Sequence, residues 1–163
     1  MNLILKAAAF ARHDHSGQRR KYNDLPYVQH PARVAGRVAV HPKANEALVV
    51  AAFLHDVVED TPHTFAEVRE EFGPEVAQLV QELTNPSKGS SAARGDRKQL
   101  DREHLTEVSE QAKIIKLLDR IDNLREMADA PNDFKDTYCA ESRLLADVIG
   151  DADLELKAEL LST

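Results

Sequence analysis

The sequence predicts an all-α fold, on three observations. Apolar residues recur at spacings of three and four through almost every stretch, no run alternates β-branched residues before a hairpin turn, and glycine or proline falls between the periodic segments. The first predicted helix, about Asn2 to His15, sets Leu3, Ala7, Phe10 and Ala11 on one face and stops near Ser16-Gly17, a glycine stop signal. The His13-Asp14 pair at its end reads as solvated surface. A polar loop, "GQRRKYNDLPYVQHP", follows, and Pro31 suits the first position of the next helix, with His30 at its edge.

The segment Lys43 to Val58 is apolar nearly all round from Ala47 to Leu54, which marks a central helix packed on several sides and ended by Thr61-Pro62. Thr64 and Glu67 form a T-x-x-E capping box for a short helix ending at Gly73, and Pro74 opens another that reaches about Thr84. "NPSKGSSAARG" reads as a loop too polar and too rich in glycine and serine to hold its shape unaided. Beyond it the pattern predicts a charged helix around Arg94 to His104, a strongly periodic one from Ser109 to Ala128, and two more after Pro131 and Asp151.

The 163 residues fit one domain, with no internal repeat and no linker that would separate two. Hydrophobic residues make up 42% and aromatics only 5%, so the core is aliphatic. A net charge of -7 argues against nucleic-acid or acidic-membrane partners, because the overall field repels polyphosphate chains. Any polyanion it handles is expected to be a small molecule met by a local basic patch. Cys139, the single cysteine, excludes an intramolecular disulfide and a thiolate zinc site. The N-terminal apolar stretch is short and broken by Lys6, and no segment approaches the ~20 apolar residues of a membrane span. A cytoplasmic protein is expected, with self-association into a homo-oligomer left open.

The chemistry concentrates in "FLHDVVEDT", residues 53–61. On a helix, residues three and four apart share a face, so His55 with Glu59, and Asp56 with Glu59 and Asp60, point toward a common volume. Carboxylates crowded at the end of an apolar helix repel one another and lose hydration, so a positive partner is expected there. Mixed imidazole and carboxylate donors suit Mn²⁺, Fe²⁺ or Zn²⁺, whereas Mg²⁺ prefers oxygen alone. Two further polar intrusions sit at suitable places. His30 stands at a helix entrance, and Asp119 interrupts the apolar stripe of Ile114, Ile115, Leu117, Leu118 and Ile121.

The order His30, His55-Asp56, Asp119 resembles the H…HD…D metal signature of the HD phosphohydrolase superfamily. More narrowly, "QRRKYNDLPYVQHPARVA", "AAFLHDVVEDT", "FGPEVAQLVQELT" and "IKLLDRIDNLR" resemble the hydrolase domain of Rel/Spo proteins and the stand-alone small alarmone hydrolases, over roughly Ala7 to Met127. The resemblance implies a single compact HD-type domain over 1–163, with a motif-bearing core about 7–127 and C-terminal helices about 131–162. It further implies one Mn²⁺ held by His30, His55, Asp56 and Asp119, and hydrolysis of the 3′-pyrophosphate of guanosine tetra- or pentaphosphate. Glu59 and Asp60 match the family's acidic pair that works on the attacking water. Arg20 and Lys21 match residues lining the nucleotide and its phosphates, Asn123 and Arg125 match substrate-contacting positions, and Tyr27 is either a nucleotide contact or a loop anchor.

Two departures stand out. Arg94, Arg97, Lys98 and Arg102 fall at spacings that either close a basic face over a polyphosphate or form a solvated helix balanced by Asp96, Asp101 and Glu103. Glu126 stands where the longer Rel/Spo proteins commonly carry a small hydroxyl residue. Adenosine alarmones such as ppApp, the 2′-phosphate of NADPH, and a non-catalytic nucleotide sensor are therefore the alternatives. Too little chain follows the motif for a synthetase region, so the chain is expected to degrade alarmone and not make it.

Overall fold

The computed structural model describes residues 2–163, and the chain divides into two compact units, one ending at Thr84 and one running from Asn85 to Thr163. Both are helical, as the periodicity predicts. Among the described residues the only β pairing is an isolated antiparallel bridge between Arg19 and Pro26. No helix there is long and apolar enough to cross a membrane.

The first unit holds α1 (Leu3–Asp14), α2 (Gln29–Ala39), α3 (Glu46–Leu54), α4 (Val57–Asp60), α5 (Phe65–Phe72) and α6 (Pro74–Leu83). α3 is its axis and packs on α1, α2 and α6. Leu48, Val50, Ala51, Ala52 and Leu54 are fully buried, which explains a segment apolar on every side: it has no solvent face to keep polar.

Three boundaries differ from the sequence reading. α2 begins at Gln29, so Pro31 is its third residue; the first four helical N–H groups have no intrahelical acceptor, so the ring is tolerated there too. The central helix starts at Glu46, where the Asn45 side chain accepts from Leu48 N at 2.7 Å. It also stops at Leu54. His55 and Asp56 form a turn, with Asp56 at φ -102, ψ -4, before α4 resumes. Asp60 N still donates to Asp56 O at 2.8 Å, so Asp60 stays one turn above Asp56.

The capping box of α5 forms as its sequence predicts. Thr64 Oγ1 accepts from Glu67 N, and a Glu67 carboxylate oxygen accepts from Thr64 N at 2.7 Å. That backbone bond, followed by the Thr64 hydroxyl, holds the Glu67 carboxyl below its ordinary value. Gly73, at φ 91, ends α5 and precedes Pro74 at the start of α6, a left-handed conformation that glycine adopts without steric penalty.

The second unit holds α7 (Arg94–Thr106), α8 (Glu110–Arg125), α9 (Asn132–Ile149), a 3-10 turn (Gly150–Ala152) and α10 (Leu154–Ser162). α8 buries the predicted aliphatic stripe and packs on α9 and α10. It ends three residues earlier than predicted, because Met127 N turns back to Leu124 O in a tighter, three-residue bond. The segment 85–93 is held by more than its composition suggests. Ser87 is buried, and its N–H donates to Asp101 Oδ1 at 3.2 Å.

The basic face of α7 meets acids in this unit. Arg94 makes two bonds to the Glu141 carboxylate, at 2.7 and 2.9 Å, and Lys98 lies 3.5 Å from Asp101. Burial, with Arg120 and Lys116 nearby, pushes the Lys98 ammonium below its ordinary value even though Asp101 opposes the shift.

Replacing Thr64 with Ala removes the hydroxyl half of the box, leaving the backbone N–H bond to Glu67, and is expected to lower stability by about 1 kcal/mol, measured by urea unfolding. The lowered Glu67 carboxyl contributes stability that is present above the ordinary glutamate range and lost as pH falls through its folded-state value. The Thr64→Ala deficit should therefore shrink in acid.

Candidate metal centre

The turn at the end of α3 brings two adjacent side chains together. On an unbroken helix His55 and Asp56 would diverge; here His55 Nε2 lies 3.0 Å from Asp56 Oδ2. His30, the second residue of α2, adds its Nε2 at 3.8 Å from the same oxygen. Both imidazoles are buried, at 1% and 2% exposure, while the Asp56 side chain keeps 19%. The rings stand nearly edge to face, with centroids 5.3 Å apart.

Hydrogen bonding gives the cluster its polarity. His55 Nδ1 lies 2.8 Å from the Ala52 carbonyl, an obligate acceptor, so Nδ1 carries the hydrogen and the neutral ring presents the Nε2 lone pair to the site. Tyr27 donates its hydroxyl to Asp56 Oδ2 at 2.6 Å. Lone-pair atoms of His30, His55 and Asp56, all within 4.8 Å of one another, thus converge on one volume. With bonds of roughly 2.1 Å to a divalent ion, neighbouring ligand atoms sit roughly 3–4 Å apart, so the donor set fits such an ion.

The acidic pair follows directly. Glu59 and Asp60 occupy the last positions of α4, and Asp60 Oδ2 accepts from the Gln18 amide at 3.0 Å. The preceding loop is shaped by backbone bonds from Tyr27 N to Gln18 O and from Arg20 N to Leu25 O. Asp24, at φ 54, makes the reversal between them. The Arg20 guanidinium lies over the Tyr27 ring at 5.4 Å, and the Lys21 ammonium over Tyr22 at 5.1 Å.

Asp119 lies in α8 of the second unit, 5% exposed, where it accepts from Lys116 at 2.8 Å and from the Asn123 amide at 2.6 Å. Asn123 therefore has a definite task in this structure, orienting the Asp119 carboxylate. Arg125 reaches Glu159 of α10 at 2.7 Å. The His13-Asp14 pair is only half as the sequence suggests. His13 is exposed, but the Asp14 side chain is 5% exposed and lies 3.1 Å from His63 Nε2.

The sequence reading missed His15, Gln18 and Lys116. Lys116 was detectable as a cation three residues before Asp119 on the same helix. His15 and Gln18 gave no periodic signal, since they meet each other and Asp60 only once the loop is folded.

A family model described as "HD domain" matches residues 7–145. The chain belongs to the HD domain family. This HD-domain chain is 41% identical over 128 residues to the guanosine-3′,5′-bis(diphosphate) 3′-pyrophosphohydrolase MESH1 of Xenopus tropicalis, covering 77% of this chain and 69% of that one. It is 35% identical over 165 residues to the Drosophila melanogaster protein of the same name, covering 96% and 90%. Its fold matches a solved structure at a TM-score of 0.88 and 33% identity, covering 98% of this chain and 92% of that one; that protein is described as a metazoan ortholog of SpoT that hydrolyzes ppGpp and plays a role in starvation responses.

A divalent ion at this cluster should stabilise the folded chain. With Mn²⁺ at about a hundred times its Kd, linkage gives about 2.7 kcal/mol. Thermal unfolding should shift upward accordingly, and both EDTA and Asp56→Ala should abolish the shift.

Proposed function

We propose that the chain is a metal-dependent pyrophosphohydrolase that removes the 3′-pyrophosphate from ppGpp or a related purine alarmone such as ppApp. The observation that carries this reading is the convergence of His30, His55 and Asp56 on one volume with Glu59 and Asp60 on the next turn. The names of the relatives support it: proteins 35% and 41% identical to this chain are ppGpp 3′-pyrophosphohydrolases by name.

In this reading His30, His55, Asp56 and Asp119 hold one divalent ion. Asp119 enters through the H…HD…D order, and the family match spans both compact units, in keeping with one hydrolase domain over 1–163. Mn²⁺ is the ion of choice because two imidazoles and two carboxylates suit it better than Mg²⁺. When bound, it supplies Lewis-acid polarisation of a phosphoryl oxygen and a water of lowered pKa.

The chain's own residues do the rest. Glu59 takes the proton of the attacking water, and Asp60 holds that water or relays the proton. The water oxygen bonds to the phosphorus on the 3′ oxygen, the P–O3′ bond breaks, and a proton returns to the 3′ oxygen, giving from ppGpp or ppApp the nucleoside 5′-diphosphate and pyrophosphate. Arg20 and Lys21 offset charge gathering on the phosphoryl oxygens. Tyr27 steadies Asp56, and Asn123 and Arg125 stand at the positions that meet the nucleotide. A cytoplasmic location fits a small nucleotide substrate and a lone cysteine.

A product assay with Mn²⁺ across ppGpp, ppApp and NADPH tests the proposal, scored by which phosphate leaves. Pyrophosphate release from a 3′-pyrophosphorylated nucleotide is expected, abolished in Asp56→Ala and lowered roughly 10²–10⁴-fold in Glu59→Gln. Full turnover by Asp56→Ala, or orthophosphate from NADPH alone, would refute it.

A further inference from the structure

His15 closes α1 and is 2% exposed. The metal cluster does not include it, and no step of the reaction above uses it. Its Nδ1 lies 2.7 Å from Gln18 Oε1, and the same amide donates its Nε2 to Asp60 Oδ2 at 3.0 Å. The direction of both bonds follows from the chemistry of the groups. The ionised Asp60 carboxylate only accepts, so the amide turns its NH2 toward it; the amide oxygen then faces His15, and Nδ1 must carry the hydrogen. A reversed amide would set oxygen against carboxylate.

The same imidazole has a second contact. Its ring packs on the Tyr27 ring with centroids 4.8 Å apart, and Tyr27 is the residue whose hydroxyl holds Asp56. Gln18 and Tyr27 are also joined through their backbones, Tyr27 N donating to Gln18 O at 2.9 Å. One buried ring thus touches two side chains, Gln18 and Tyr27, that reach Asp60 and Asp56. Packing alone does not explain the choice of histidine. Its Nε2 is buried and has no hydrogen-bond partner among the described residues, a destabilising feature that an apolar side chain of similar size would avoid.

We infer that His15 is a positioning residue that sets two carboxylates at once: Asp60 through its Nδ1–H and Gln18, and Asp56 through the face it offers to Tyr27. This rests on the reading of Asp56 as a metal ligand and of Asp60 as the partner of Glu59. The two arms are separable, because one uses a hydrogen-bond donor and the other a ring face.

Full-length His15→Phe, Gln18→Leu, their double variant and His15→Ala test this, with Mn²⁺ affinity from calorimetry and kcat and KM on ppGpp as readouts. His15→Phe keeps the ring face and loses the donor. It should hold Mn²⁺ within about twofold of wild type while kcat falls about 10-fold with KM nearly unchanged. Gln18→Leu should match it, and the double variant should be no worse than either single, since both cut one path. His15→Ala should also lose about 10-fold in Mn²⁺ affinity. Unchanged kcat in His15→Phe, multiplying losses in the double variant, or equal Mn²⁺ loss in the Phe and Ala variants would overturn the inference. If wild type leaves ppGpp intact while Mn²⁺ affinity still separates Phe from Ala, the substrate reading fails and the positioning role stands. If wild type hydrolyses ppGpp and every variant matches it, the reverse holds.

Discussion

A single carboxylate oxygen, Asp56 Oδ2, meets two imidazole nitrogens and a phenol hydroxyl at the broken end of an apolar helix. Much of the first unit can be understood from what that requires. An anion facing two lone pairs is unstable unless a cation answers it, and a cation is held tightly only if the ligands cannot drift. Rigidity comes from α3, where Leu48, Val50, Ala51, Ala52 and Leu54 are fully buried. Direction comes from the Ala52 carbonyl, which dictates the tautomer of His55.

The break after Leu54 is as consequential as the helix before it. A continuous helix would send His55 and Asp56 about 100° apart around the axis. The turn lets neighbours in sequence become neighbours in space, while the bond from Asp60 N to Asp56 O keeps the acidic pair stacked above. In the proposed function the ligand Asp56 and the base Glu59 are thus carried by one short stretch of backbone.

Periodicity made the helices readable, because burial of a stripe leaves its mark at every third and fourth residue. It also identified His30, His55 and Asp56 as polar intrusions on apolar elements, and the family phrases gave their order. The break itself was hidden, since Val57 and Val58 continue the apolar run across it. Pro31 misled by two residues because several positions at a helix start tolerate it. The loop at 16–28 was legible only as polar: its shape comes from bonds between residues that composition cannot pair, such as Gln18 with Asp60. Asp14 looked solvated for the same reason, its companion His63 being supplied from another part of the chain. Ser87 hid in a stretch whose glycines and serines suggested slack, until Asp101 took its amide.

His63 lies between Asp14 and Glu67, with Nε2 3.1 Å from the first and Nδ1 3.6 Å from the second, and its ring rests on Phe10. Glu67 also closes the start of α5. The C-terminal end of α1 and the entrance of α5 are therefore fastened by one imidazole, so loosening the first turn of α5 would loosen the residue that precedes His15.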